Sequence, residues 1–263
     1  MLANLANLFR YRGLIQSLVA RELKARYRGS VLGFVWSFVN PLLLLLIYSF
    51  VFTTVMPNNV VGVQPYALFM FCGILPWTWF SSSLSEAAGS LIAGGNLIKK
   101  VLFPAEILPI VSVLTNMVNF FLGLLILVPS LMYFGRLHLT FHLLWFPVAV
   151  LVQLLFTLAL AFGLSALTVH FRDIKDLLAN LLTLWFFSTP IIYSWQQDNV
   201  KRYKQLFDLN PFTHLAISYQ EILFYGVVGH WKWLLGLGAG SVGLFLAGYW
   251  VFDRLRDSFA EVV

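Results

Sequence analysis

The sequence predicts an all-α integral membrane protein. It should have six spanning helices, an N-terminal amphipathic interfacial helix, a surface helix between spans two and three, and short re-entrant helices before span six. Three observations carry this. Of 263 residues, 60% are hydrophobic and only 11% charged, where a soluble domain carries about 25% charged residues. Mean hydropathy is +0.83. No charged residue falls in the 57 positions from Gly29 to Ser85, which is room for two spans of about 20 residues each. One membrane domain (1–263) follows: an interfacial helix (1–30), six spans within 31–252, and a tail (253–263).

In chain order, residues 1–28 are the most basic stretch. Arg10, Arg21, Lys24 and Arg28 fall on one helical stripe, with Leu8, Tyr11, Ile15 and Val19 roughly opposite, the pattern of a helix lying in the headgroup region, in one or two pieces. Because this basic stretch does not give way quickly to an apolar one, no cleavable signal is expected. The spans are expected at about 31–56, 66–86, 107–133, 143–169, 177–195 and 233–252. Asn40-Pro41 lies inside the first and Pro190 near the outer end of the fifth. Pro57-Asn58-Asn59 marks an uncharged outer loop. Cys72, the only cysteine, sits in an apolar run and reads as a small buried hydrophobe. In the sixth span Gly236, Gly240 and Gly243 suggest faces for close helix packing.

Between spans two and three lies a charged interruption, residues 94–106. Gly94-Gly95 should break the preceding helix and Asn96 cap a new one. Leu97, Ile98, Val101 and Leu102 would share a side, with Lys99 and Lys100 turned away. Pro104 at a first helical position and Glu106 would then start the third span. The result is a one-to-two-turn helix on the membrane surface. Residues 196–232 are too long for a turn, yet their apolar runs are too short to span, so re-entrant or interfacial helices fit best.

Charge placement sets the orientation. Twelve lysines and arginines fall in the N-terminus, the 94–106 stretch, the 170–176 loop and the tail, against five on the other side. The positive-inside rule puts both termini in the cytoplasm. The formal charge of +6 is therefore topological, and nucleic acid is not an expected partner.

Absences narrow the chemistry. There is no G-x-x-x-x-G-K-[ST] motif, so the chain carries no P-loop of its own. His138 and His142 are four apart with no carboxylate near them, a poor zinc signature. No charged residue falls near an expected span centre, where an ion-coupled carrier keeps one. Energy must then come from outside the chain. Aromatics make up 17% of the residues and cluster around Trp77, Trp185 and Phe224. They read either as interfacial belts or as a wall on which sugar rings stack. A membrane glycan ligase or polymerase is the alternative from another class; it would have to draw on Glu221, Asp198, Asp208, Arg136 and the 201–204 basics.

Several stretches stand out together: Arg26-Tyr27-Arg28-Gly29-Ser30-Val31-Leu32-Gly33-Phe34-Val35-Trp36 with Asn40-Pro41, Leu75-Pro76-Trp77 with Phe80, and Asn96-Leu97-Ile98-Lys99-Lys100-Val101 with Phe103-Pro104, Glu106 and Leu108-Pro109. Phe171-Arg172-Asp173, Pro190-Ile191-Ile192-Tyr193, Asn210-Pro211 and Tyr219-Gln220-Glu221-Ile222 continue the series along the whole chain. In this order they resemble the membrane subunits of type-2 ABC exporters for polysaccharides. The resemblance implies a bacterial inner-membrane permease, not an enzyme, working as a homodimer with two copies of a separate ATP-binding subunit. ATP and Mg would bind that partner, and this chain would hold no cofactor. Asn96, Leu97, Lys99 and Lys100 on a coupling helix, with Arg172 and Asp173, would dock on the ATPase. A lipid-linked glycan would enter between the first and fifth spans. It would pass a channel touched by Trp77, Trp79, Phe80, Trp185, Phe186, Tyr193, Tyr219 and Phe224. The first-loop match is closer to O-antigen and teichoic acid permeases than to capsular ones, and a drug or lipid exporter of the same type is the remaining alternative.

Overall fold

The helix around which the others pack is Tyr66–Ala93 (α3 below), buried along most of its length. The structure, a computed structural model, describes residues 10–26, 28–55, 63–100, 103–137, 140–195 and 202–259. Leu8, Tyr27, the 57–59 loop, Val101, Leu102, His138, Asp198, Lys201 and the Lys100 side chain lie outside the described residues.

The helices are α1 (Arg12–Arg26), α2 (Trp36–Phe50), α3 (Tyr66–Ala93), α4 (Gly95–Lys100), α5 (Ile107–Tyr133), α6 (Trp145–His170), α7 (Ile174–Phe187), α8 (Lys204–Asp208), α9 (Pro211–Gln220) and α10 (Trp231–Leu255). Among the described residues, five helical stretches are long and apolar enough to cross a membrane: 33–55, 66–93, 107–133, 141–170 and 231–255. The chain is a multi-pass membrane protein. Where a fifth span was expected, at 177–195, the chain has the shorter α7, which starts three residues earlier and has 14 residues, about 21 Å at 1.5 Å per residue. It stops at Phe187 because the residues ahead of Pro190 are disfavoured in the helical region, and 188–195 continue as turns.

The second span is longer than expected, running past Glu86 to Ala93. Glu86 is therefore inside a helix, and it is paired. Its carboxylate accepts from Arg26 at 2.9 and 3.0 Å and from Asn116 Nδ2 at 2.7 Å. Trp79 Nε1 donates to the Val113 carbonyl (3.2 Å) and Gln153 Nε2 to the Pro76 carbonyl (2.8 Å), tying α3 to α5 and α6.

The expected interfacial helix is α1. Tyr11, Ile15, Leu18 and Val19 pack on Phe103, Ile107 and Val111, while Arg10, Arg21, Lys24 and Arg28 are exposed. The glycine expectation needs correction. A Cβ at Gly236, Gly240 or Gly243 would meet nothing within 4 Å. The close approach is at Gly248, where a Cβ would overlap the Ala159 carbonyl oxygen of α6.

Candidate functional site

α3 ends at Gly94 as expected, and the position needs glycine, since a Cβ there would overlap Leu108. The new helix α4 starts at Gly95, with the Gly94 carbonyl accepting from Leu97 N at 2.8 Å. Asn96 therefore sits in the first turn and does not cap it. Pro104 is likewise one turn early: its carbonyl accepts from Ile107 N at 3.1 Å, and α5 begins there. Asn96 and Lys99 are exposed, while Leu97 and Ile98 are half-buried. Arg172 and Asp173 are exposed in the turn between α6 and α7. The α1, α4, 171–173 and α10 C-terminal segments all lie at one end of the bundle, joined through shared apolar clusters and the His170–Ser258 contact. That end carries the basic excess.

The aromatic residues divide. Trp79 is stacked on Phe120 (5.2 Å) inside the subunit. Phe80 stacks on Phe156 and meets Phe212 at 4.8 Å. Tyr219 packs on Phe120 and Phe146, and Phe224 meets Phe69 and the Arg136 guanidinium. These four were expected on a channel wall, and all are at most 1% exposed within one subunit. The correction has a simple cause: α3, α5, α6 and α9 bury aromatic faces against one another, which stabilises the bundle by dispersion and ring-edge contacts. Trp77 is 7% exposed, and Trp185, Phe186 and Tyr193 are half-buried.

One open groove combines hydroxyls with apolar side chains, among them Leu44, Ile74, Ala179 and Leu182. This groove, of about 460 Å³, runs between α2, α3 and α7. Thr78, Ser81 and Ser85 of α3 line it at helical spacing, with Thr183 of α7 opposite and Tyr48, Trp77 and Phe186 at its sides. Ser81 and Thr183 donate to carbonyls of their own helices (3.4 and 3.0 Å), which leaves their oxygen lone pairs for a ligand's donors. Ser85 also borders a second cavity of about 500 Å³ at the basic end, with Arg21, Glu22 and Lys175 on its wall. These serines and threonines carried no signal of their own in the sequence, since hydroxyls are common in membrane helices.

At the opposite end, α9 and the five residues after it form the expected non-spanning helix. Asn210 caps it, accepting from Phe212 N at 3.0 Å, and also accepts from Trp185 Nε1 at 2.6 Å. Glu221, 6% exposed, accepts from Gly229 N (2.7 Å), His230 N (2.9 Å) and His230 Nδ1 (2.7 Å). Both carboxylate oxygens thereby anchor the start of α10, a structural role that accounts for this buried carboxylate. Replacing Glu221 by Ala should cost about 2 kcal/mol, the worth of hydrogen bonds to a charged group. That is a drop of several degrees in thermal midpoint; an unchanged midpoint would show that the contact carries no stability. Burial holds the His214 imidazole below its ordinary range, although its Nε2–H donates to the Asp208 carbonyl at 3.0 Å. With the folded value depressed, His214 contributes stability above the ordinary imidazole value and loses it as pH falls below that value.

Residues 13–224 match the family model described as ABC-2 type transporter. The chain is 45% identical to an O-antigen export system permease protein RfbA of Myxococcus xanthus, with all of both chains covered. It is 31% and 30% identical to two proteins of the same description from Klebsiella pneumoniae, with 99% of this chain and 97% of theirs covered.

Proposed function

Because this chain belongs to the ABC-2 type transporter membrane family, a family of permeases that work with an ATP-binding subunit, we propose that it exports a lipid-linked polysaccharide, O-antigen first among the candidates, across the bacterial inner membrane. The observation that carries this reading is the row of hydroxyls on the α3 wall of the otherwise mixed groove between α2 and α7. Lipid tails have no use for a row of Thr78, Ser81 and Ser85, whereas a hydrated glycan exchanges water for such hydroxyls at little cost. Trp77 and Phe186 beside them offer faces for sugar rings. The relatives named as O-antigen export permeases support the choice of cargo.

Two copies of the chain face each other across α2, whose Leu42, Leu43, Leu46, Ile47 and Phe50 are left uncovered within one subunit. The basic end is cytoplasmic by the positive-inside rule, with both termini there. Asn96, Leu97, Lys99 and Lys100 of α4, together with Arg172 and Asp173, dock on the partner, which binds ATP and Mg. A short helix clamped between α3 and α5 transmits the partner's motion as a rigid element.

The test is export and ATP turnover of the complex carrying Ser81→Leu or Ser85→Leu. Bulk and lost hydroxyls in the groove should lower glycan export at least tenfold, a loss of about 1.4 kcal/mol or more, while the ATP-binding subunit still co-purifies. Undiminished export in both variants would remove the groove from the path. Stimulation of ATP hydrolysis by a lipid-linked glycan other than O-antigen, such as a teichoic acid or capsular precursor, would reassign the cargo.

A further inference from the structure

The C-terminal turn touches both segments through which a partner's motion would enter. After α10 the chain makes a short turn, Arg256–Ser258. Arg256 Nη1 donates to Glu106 Oε1 at 2.7 Å, and Glu106, next to the α4 segment, is almost wholly buried. Ser258 Oγ is 3.1 Å from Nε2 of His170, the residue that opens the 170–176 loop. Phe259 is fully buried against Phe252 (rings 5.2 Å apart), in a cluster with Leu91 and Ala105 on which Ile98 of α4 also packs. We infer that this turn is a strap that fixes α4 and the 170–176 loop in one orientation, making Arg256 and Phe259 positioning residues for the docking of the ATP-binding subunit.

The geometry favours this over a simple end-of-chain anchor. A buried carboxylate needs a partner, and Glu106 finds it on the last turn of the described chain rather than on a neighbouring helix. Among the described residues the other Glu106 oxygen, Oε2, has no partner, so of these residues it is Arg256 that holds the carboxylate in orientation. The strap reaches the two segments from one point, so neither can tilt without dragging the other. Two loops held at a fixed spacing present a preorganised surface, and preorganisation lowers the entropy lost on docking.

The inference rests on the reading that an ATP-binding subunit docks at this end. The full-length chain in nanodiscs is titrated with the ATP-binding subunit of its own exporter, and affinity and saturated ATP turnover are measured separately. Arg256→Ala and Phe259→Ala should weaken binding about tenfold, within the usual range of coupling between sites. Turnover at saturation should stay close to that of the unaltered chain. Arg256→Ala alone strands the buried Glu106 charge and lowers the thermal midpoint, so the control is Arg256→Ala with Glu106→Gln, which removes charge and partner together: it should keep the midpoint near that of the unaltered chain and still bind about tenfold more weakly. Arg256→Lys, which keeps one donor to Glu106, should restore most of the affinity. Unchanged affinity in Arg256→Ala, or in the double variant a fall in affinity that only follows a fall in midpoint, overturns the strap. If Phe259→Ala fails to insert, the two Arg256 variants decide the matter. Failure of the unaltered chain to bind the subunit at all would instead overturn the docking reading itself.

Discussion

Replacing Gly248 by Leu should break the seam between α6 and α10 and leave little properly folded protein in the membrane. Even the single carbon of Gly248→Ala would overlap the Ala159 carbonyl oxygen, a backbone atom that cannot rotate away. Overpacking a well-filled site costs about 1–3 kcal/mol where side chains can yield, and more is expected where the obstacle is main chain. The two helices would have to part along a contact that also includes Phe162 against Phe245, Tyr249 and Phe252. Gly240 provides the control. It lies on the same helix with open space around it, so Gly240→Ala should be neutral or stabilise by up to about 1 kcal/mol through helix propensity. Yield of monodisperse protein and the thermal midpoint check both. Equal behaviour of the two alanine variants would show that the seam is not closely packed.

This pair of glycines also shows where the sequence stops speaking. Period and composition located five long helices, the surface helix α4, the non-spanning α9 and the excess of basic residues at one end, because each depends on local pattern. Gly236, Gly240 and Gly243 had the spacing of a packing face, but spacing does not say which face meets a neighbour. In a membrane both lipid and core are apolar, so the usual contrast between inside and outside is missing. The same loss explains Trp79, Phe80, Tyr219 and Phe224, which belong to the subunit core and not to an open wall. The ionic links were hidden for another reason. Glu86 and Glu106 find Arg26 and Arg256 across 60 and 150 positions, and one sequence holds no record of such pairings. The serines of the groove were hidden by commonness, since hydroxyls occur in membrane helices for many reasons.

Reversing both charges of α4, Lys99→Glu with Lys100→Glu, should abolish export while the protein still inserts in its normal orientation. The two roles these lysines could play separate on arithmetic. Orientation depends on the whole basic excess, and the segments assigned to that side by the positive-inside rule hold ten other lysines and arginines, so removing two leaves the bias in place. Docking depends on the few charges at the contact. Lys99 is exposed on a six-residue helix whose other side, through Ile98, is packed on the cluster around Phe252. The helix cannot roll to hide a misplaced charge. A like-charge juxtaposition at an interface costs several kcal/mol, enough to reduce binding of the ATP-binding subunit a hundredfold or more. Salt should tell this apart from a folding defect: the Debye length falls from about 10 Å at 0.1 M to about 3 Å at 1 M, so raised salt should recover part of the binding in the reversed variant. Recovery would place the defect at an electrostatic contact, where the Arg256→Ala strap variant, acting through geometry, should gain nothing from salt. Normal export by the double reversal would return Lys99 and Lys100 to orientation alone.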